Sequence, residues 1–310
     1  MKTTGFRSFV LYILLFIFLG GLAYFLVMLA INGSDWVAQP YNGYIYAEDA
    51  TLSAGTITDR DGMILAKTED GARTYAESES VRRSLLHTIG DSSGYIGTAV
   101  QAVHRSKLIG YNPITGLNDT IFSGFGADIR LTIDADANAA AFNAFGGRDG
   151  SAFLYNYETG EVLVKISAPT YDPMNVPEDL SENEEYNGVF VDHTLSSSYT
   201  PGSIFKIVTA AAAMDALSDW DTRTYTCEET YPVGSSQITC LDYHGELTLE
   251  EALGHSCNIY FAKLALDIGA DALQEKAEEM GFGETFRFDS VETNASEIDL
   301  SSASDLDLAW

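Results

Sequence analysis

The chain has 310 residues, 46% of them hydrophobic, which is enough for a membrane segment plus one or two folded domains. Its 17 basic and 45 acidic residues leave a net charge of -28, which repels polyanions and excludes nucleic acid as a partner. Acidity on this scale fits a soluble domain facing the outside of a cell, where self-repulsion opposes association.

Residues 9–31 form an uncharged apolar run of 23 residues. A helix of that length covers about 34 Å, enough for a bilayer core. Lys2 and Arg7 precede it, and the first charges after it are Asp35, Glu48 and Asp49. The positive-inside rule then makes residues 1–8 a cytoplasmic tail, 9–31 a single transmembrane helix and the remainder extracellular. A cleaved signal peptide is the rival. The run exceeds the ~7–15 residues of an ordinary signal core, and no A-x-A-like site follows, which favours an anchor in the cell membrane.

Residues 32–53 read as a polar, tyrosine-rich linker. Residues 55–67 alternate apolar and polar around Asp61-Gly62, a hairpin signal. Residues 96–109 have helical spacing and stop at Gly110, a C-terminal cap. Residues 54–125 thus make a small β-rich module, too short for a large core of its own. A second domain is expected over 126–310. Ile129, Leu131 and Ile133 alternate as a strand, and Asp134 can cap an alanine-rich helix over 135–145. Apolar runs at 151–157 and 161–167, joined through Gly160, read as a β-hairpin. Residues 169–200 form a long acidic connection. A helix begins at Ser203 after Pro201-Gly202, and its four alanines at 210–213 suggest a buried central helix. Thr248-x-x-Glu251 is a capping box, residues 258–267 carry a helical apolar stripe, and Asp271 with Gln274 caps a helix ending at Gly281. This order gives an α+β fold.

The three cysteines are Cys227, Cys240 and Cys257. Outside a membrane Cys227 and Cys240 could pair, or all three could be free thiols. Cys227, Cys240, His244 and His255 match no compact zinc spacing, so no metal or cofactor is expected.

The sharpest chemical feature is Ser203-Ile-Phe-Lys206. Three residues apart on a helix, the two side chains share a face, one turn along. A lysine amine taken out of water beside a serine can lose its proton and act as general base. The helix N-terminus favours developing negative charge. Fifty residues on, Ser256-Cys257-Asn258 lies between two predicted helices, where Ser256 can relay a proton to a leaving amine and Asn258 can hold a substrate peptide group. Either motif alone also reads as a helix cap. In order, and both at helix starts, they read together as an acyl-transfer site.

S-x-x-K followed by S-x-N resembles the penicillin-binding proteins and serine β-lactamases. Leu131-Thr-Ile-Asp134, Glu158-Thr-Gly160, Ala168-Pro-Thr-Tyr-Asp-Pro173 and Pro201-Gly-Ser-Ile-Phe-Lys206 narrow the resemblance to class B penicillin-binding proteins. Gly55-Thr-Ile-Thr-Asp-Arg-Asp-Gly62, Leu65-Ala66 and His87-Thr-Ile-Gly90 extend it upstream. The resemblance implies a peptidoglycan D,D-transpeptidase. Ser203 would be the nucleophile, Lys206 the base, Ser256 the relay and Asn258 a substrate ligand. Its substrates would be stem peptides ending in D-Ala-D-Ala. β-Lactams would acylate the same serine, and partners would include membrane proteins of the division or elongation machinery.

Ala54, Ile204 and Asn138 depart from the family's usual arginine, threonine and glutamine. A larger departure is that no Lys-Thr-Gly or Lys-Ser-Gly follows Asn258. On the resemblance, the third motif would sit on a strand beside the serine and bind the substrate carboxylate. The expectation is therefore a C-terminally truncated transpeptidase domain with impaired turnover. Two rivals stand beside it: a non-catalytic cell-wall scaffold, and a serine β-lactamase or β-lactam sensor. An eight-residue cytoplasmic tail leaves no room for a signalling domain.

Overall fold

The computed structural model describes residues 2–37, 54–70, 72–110 and 126–309. The first element is a helix, α1 (Lys2–Val37). Within it Ser8–Gly33 is long and apolar enough to cross a membrane, and Phe9, Leu11, Phe16 and Phe18 are exposed. The helix runs past Ile31 into the segment expected to be linker, where the Asn32 amide donates to the Met28 carbonyl (3.3 Å). The rest of that linker lies outside the described residues. Contacts divide the chain into two units, Met1–Ser196 and Ser197–Trp310.

In the first unit, β1 (Ile57–Thr58), β2 (Ile64–Glu69), β3 (Ala72–Tyr75) and β4 (Ile129–Arg130) form a sheet of order β3-β2-β1-β4. The expected hairpin at Asp61-Gly62 is β1–β2. Its turn is held by the buried Asp59 carboxylate, which accepts from the Asp61 and Met63 amides at 2.9 and 2.8 Å. Gly62 has φ +92°, a conformation glycine enters without penalty. Between the third and fourth strands come α2 (Glu79–Ser84), α3 (Leu86–Ile89), α4 (Val100–Val103) and α5 (Arg105–Ile109). The single helix expected over 96–109 is thus two short ones, broken at His104 (φ -103°, ψ +23°). Gly110 does end the second of them in the left-handed conformation.

Helix α6 (Ala135–Phe145) starts as expected, with the Asp134 carboxylate accepting from the Ala137 amide. The hairpin is β5 (Gly150–Tyr155) with β6 (Val162–Ala168). Asn138, fully buried, joins three elements: it donates to the Ser84 carbonyl (3.1 Å) and accepts from the Lys165 amide (2.8 Å). Beyond β6 the acidic connection is more ordered than its lack of periodicity suggests. It buries Tyr171, Val189 and Leu195 and carries α7 (His193–Ser196). Two ion pairs pin it: Arg82 grips Asp172 through two nitrogens at 2.7 and 2.6 Å, and Lys165 pairs with the buried Asp192. Arg82 and its hydrogen bonds hold the Asp172 carboxyl down at about 2.

The second unit opens with a 3-10 turn, Gly202–Phe205, that runs into α8 (Lys206–Ala216). Then come β7 (Tyr225–Cys227), β8 (Thr230–Val233), β9 (Ser236–Thr239), β10 (Gly245–Leu247), α9 (Leu249–Gly254), α10 (Asn258–Ile268) and α11 (Ala270–Glu279). The helix buried nearly all round is α10, through Ile259, Tyr260, Phe261, Ala262, Leu264 and Ala265. Helix α8, expected in that role, buries its alanine side but exposes Ile207 and Met214. Its alanines do the work of close approach: Ala212 packs with Ala265 and Leu273, and Ala210 and Ala213 join the core around α10. Each large α10 side chain removed from water contributes about 1.5–3 kcal/mol. Helix α11 begins two residues early. Gly269 (φ +83°) makes the whole connection from α10, so Asp271 falls inside the first turn and caps nothing. Gln274 instead bonds Ile298 and Leu300 of the following segment.

Candidate active site

Two helix starts build the site. Gly202 (φ +57°) turns the chain so that Ser203 sits in the 3-10 turn and Lys206 opens α8. The second start is reached through α9, whose N-terminus is the predicted capping box: Thr248 accepts from the Glu251 amide and Glu251 accepts from the Thr248 amide. The chain leaves α9 through Ser256, a non-glycine residue at φ +51°, and Cys257 then caps α10 by accepting from the Tyr260 amide (3.4 Å). The capping role weighed for Ser256 therefore falls to Cys257, which leaves the Ser256 hydroxyl free to face the lysine.

The structure brings all four sequence-predicted residues together around one amine. Lys206 Nζ lies 3.3 Å from Ser203 Oγ, 3.1 Å from Ser256 Oγ, 2.7 Å from the Ser256 carbonyl and 2.7 Å from Asn258 Oδ1. The positive φ at Ser256 is what lets its carbonyl and its hydroxyl reach the same nitrogen. Asn258 also donates through Nδ2 to the Thr239 carbonyl (3.0 Å), tying the loop to the end of β9. Ser203 and Ser256 are exposed, and Lys206 and Asn258 are half-buried.

All four neighbours of the amine are neutral oxygens. Two of them, a carbonyl and an amide oxygen, can only accept. They take two of its protons, leaving one position for the two hydroxyls. In the neutral amine that position is a lone pair, which can accept the Ser203 proton. Burial pushes the Lys206 amine below the ordinary lysine value, while the sulfurs of Cys240 and Cys257 act in the opposite sense. The Phe261 ring, 5.8 Å from Nζ, covers the amine from the core side. Sequence reasoning missed Cys257 as the cap and Thr239 as the anchor of Asn258. The signal for the first was present, since the cysteine stands one residue before the periodic stripe of α10.

Residues 150–309 match the family described as penicillin binding protein transpeptidase domain, just over half of the chain. The chain belongs to that family. Peptidoglycan D,D-transpeptidase PbpA of Mycolicibacterium smegmatis is 28% identical over 274 residues, which is 79% of this chain and 55% of that protein. The D,D-transpeptidase domain of a peptidoglycan glycosyltransferase from Eggerthella lenta superposes with a TM-score of 0.70 at 28% identity, over 84% of this chain and 61% of that one. The penicillin G acyl-enzyme of penicillin-binding protein A from M. tuberculosis has the same fold, with a TM-score of 0.70 at 24% identity over 83% of this chain and 65% of that one. The likeness therefore reaches upstream of residue 150, as the motifs at 55–62 and 87–90 indicated. The chain spans about half the length of the curated relative it matches over most of its own length.

Proposed function

We propose that this chain carries the acylating half-site of a peptidoglycan D,D-transpeptidase, with Ser203 as nucleophile. The observation that supports it is the single lysine amine within reach of Ser203, Ser256 and Asn258. Neutral Lys206 takes the Ser203 proton as Oγ attacks the carbonyl carbon of the penultimate D-alanine. The tetrahedral intermediate collapses with cleavage of the peptide bond, and Ser256 passes a proton from the lysine to the departing amine of the terminal D-alanine. Asn258 Nδ2, with one N–H beyond its bond to Thr239, is available to the stem-peptide backbone. The acyl group then moves to the amine of a neighbouring stem, and Ser203 recovers its proton. A β-lactam opens on the same oxygen, its ring amide standing in for the D-Ala-D-Ala bond.

Helix α1 would hold the chain in the cell membrane, with the basic end inside and the half-site outside. The test is to expose the full chain to a fluorescent penicillin and map the label by peptide mass spectrometry. Label on Ser203, lost in Ser203→Ala, is the expected result. Label elsewhere, or unchanged in that variant, sinks the assignment; rapid release of the label as hydrolysed drug would favour a β-lactamase instead.

A further inference from the structure

Next to the serine–lysine pair, four segments bring sulfur and nitrogen donors to one point. Cys227 ends β7, Cys240 follows β9, His244 precedes β10 and Cys257 caps α10. The three sulfurs and one ring nitrogen all lie within 4.8 Å of one another. His244 Nδ1 is 3.5 Å from Cys227 Sγ and 3.5 Å from Cys240 Sγ, and Cys240 Sγ is 3.9 Å from Cys257 Sγ. Of the four residues weighed from the sequence, Cys227, Cys240 and His244 converge. His255 does not join them; its ring packs on that of His244 at 5.1 Å, and Cys257 takes the fourth place.

We propose that Cys227, Cys240, His244 and Cys257 form a tetrahedral Zn²⁺ site. Zinc binds thiolate sulfur at about 2.3 Å and imidazole nitrogen at about 2.0–2.1 Å, so a tetrahedron has edges of about 3.5 Å between S and N and about 3.8 Å between S and S. Three of the six separations, at 3.5, 3.5 and 3.9 Å, match those edges and the other three stay within 4.8 Å, so an ion fits after side-chain shifts of about 1 Å or less. Three thiolates and an imidazole form a soft donor set that selects zinc over magnesium or calcium. Cys227 and Cys257 are buried, and Cys240 and His244 are half-buried, which suits a closed structural site. All three cysteines are free thiols, and the Cys227–Cys240 pairing weighed from the sequence is not formed. A disulfide would join two sulfurs at about 2.0 Å and leave the third, with His244, facing it unbonded. On metal binding each thiol gives its proton to solvent, and three thiolates, a neutral imidazole and Zn²⁺ carry one net negative charge.

The consequence for the site is positional. Cys257 is the middle residue of Ser256-Cys257-Asn258, and Cys240 adjoins Thr239, whose carbonyl holds Asn258. One ion would fasten the loop that aims Ser256 and Asn258 at Lys206 to the strands beside it. This inference stands on the donor geometry and not on the transpeptidase reading, so either can fail alone.

The test uses the full chain purified without chelator and under reducing conditions. Elemental analysis should find one zinc per chain. Exchange for Co²⁺ should give the sulfur-to-metal charge-transfer band and the intense visible bands of a tetrahedral thiolate complex. His244→Ala and Cys227→Ser, checked for folding by circular dichroism, should each weaken metal binding by at least about tenfold. Hydrogen exchange of residues 240–258 should slow when Zn²⁺ is restored. A wild-type chain that binds neither ion stoichiometrically, or that carries a Cys240–Cys257 disulfide on non-reducing peptide mapping, overturns the site. Unchanged exchange over 240–258 in a zinc-loaded chain overturns the fastening role.

Discussion

Replacing Lys206 by alanine removes the only basic group in reach of Ser203 Oγ among the contacts described, and leaves the Ser256 carbonyl and Asn258 Oδ1 without their 2.7 Å donor. Loss of a positioned general base costs about 10²–10⁴ in rate, or about 3–5 kcal/mol of barrier. The two orphaned acceptors are near solvent, so water replaces the donor and each adds about 1 kcal/mol or less. Acylation of Ser203 by a fluorescent penicillin should therefore fall by at least about 10² in Lys206→Ala. Lys206→Arg separates charge from base. A guanidinium keeps a positive charge and donors for the two acceptors, yet it does not deprotonate in a protein. It should acylate within about tenfold of the alanine variant. The assay is time-resolved gel fluorescence at saturating drug, with Ser203→Ala as the blank. An arginine variant that acylates at close to the parent rate would refute the base assignment and leave Lys206 a purely electrostatic role.

Arg82→Ala should cost about 3–5 kcal/mol by urea unfolding, because it strands the buried Asp172 carboxylate. Adding Asp172→Asn to it should return part of the loss, and no recovery would argue against the pair. Burial holds His87 neutral, with its pKa lowered from 6.5 to about 4, against the opposing pull of its 2.8 Å bond to the Val189 carbonyl. The unfolded chain binds this proton first as pH falls. The His87 contribution is thus full above pH 6.5 and is lost toward pH 4, by up to about 3 kcal/mol. His87→Gln should flatten the stability curve over that window, and an unchanged slope would show that another group titrates there. Thr248→Ala, by opening the capping box, should lower the unfolding midpoint by an amount equivalent to about 1 kcal/mol. Protease added to intact protoplasts should remove the segment after α1, and full protection would reverse the proposed orientation.

Local signals carried far in this chain. The capping box at Thr248, the Asp134 cap, the Gly110 stop, the Asp61-Gly62 turn and the β5–β6 hairpin are each set by residues within a few positions of one another, so the sequence pattern alone locates them. Ser203 and Lys206 were legible for the same reason, being three residues apart on one face. What was not legible depends on distance along the chain. Nothing in the spacing of Cys227, Cys240, His244 and Cys257 reveals that the β7–β10 pair, the β8–β9 hairpin and a helix start converge. The break at His104 and the early start of α11 at Gly269 arise where a connection is shorter or tighter than the apolar stripe suggests. The buried pairs Arg82–Asp172 and Lys165–Asp192 join residues 90 and 27 positions apart, too far along the chain for local spacing to pair them.

Ser256 occupies left-handed backbone, which costs a residue bearing a Cβ about 1–2 kcal/mol relative to the right-handed region. Glycine at that position would adopt the same turn without the penalty and keep the carbonyl on Lys206, losing only the hydroxyl. A population of variants sorted for heat resistance alone would therefore be drawn toward glycine at 256, and toward chains that endure heating but lack the hydroxyl proposed as the proton relay. Under the proposed reading, serine at that position would be retained only where selection scores acyl transfer as well as endurance.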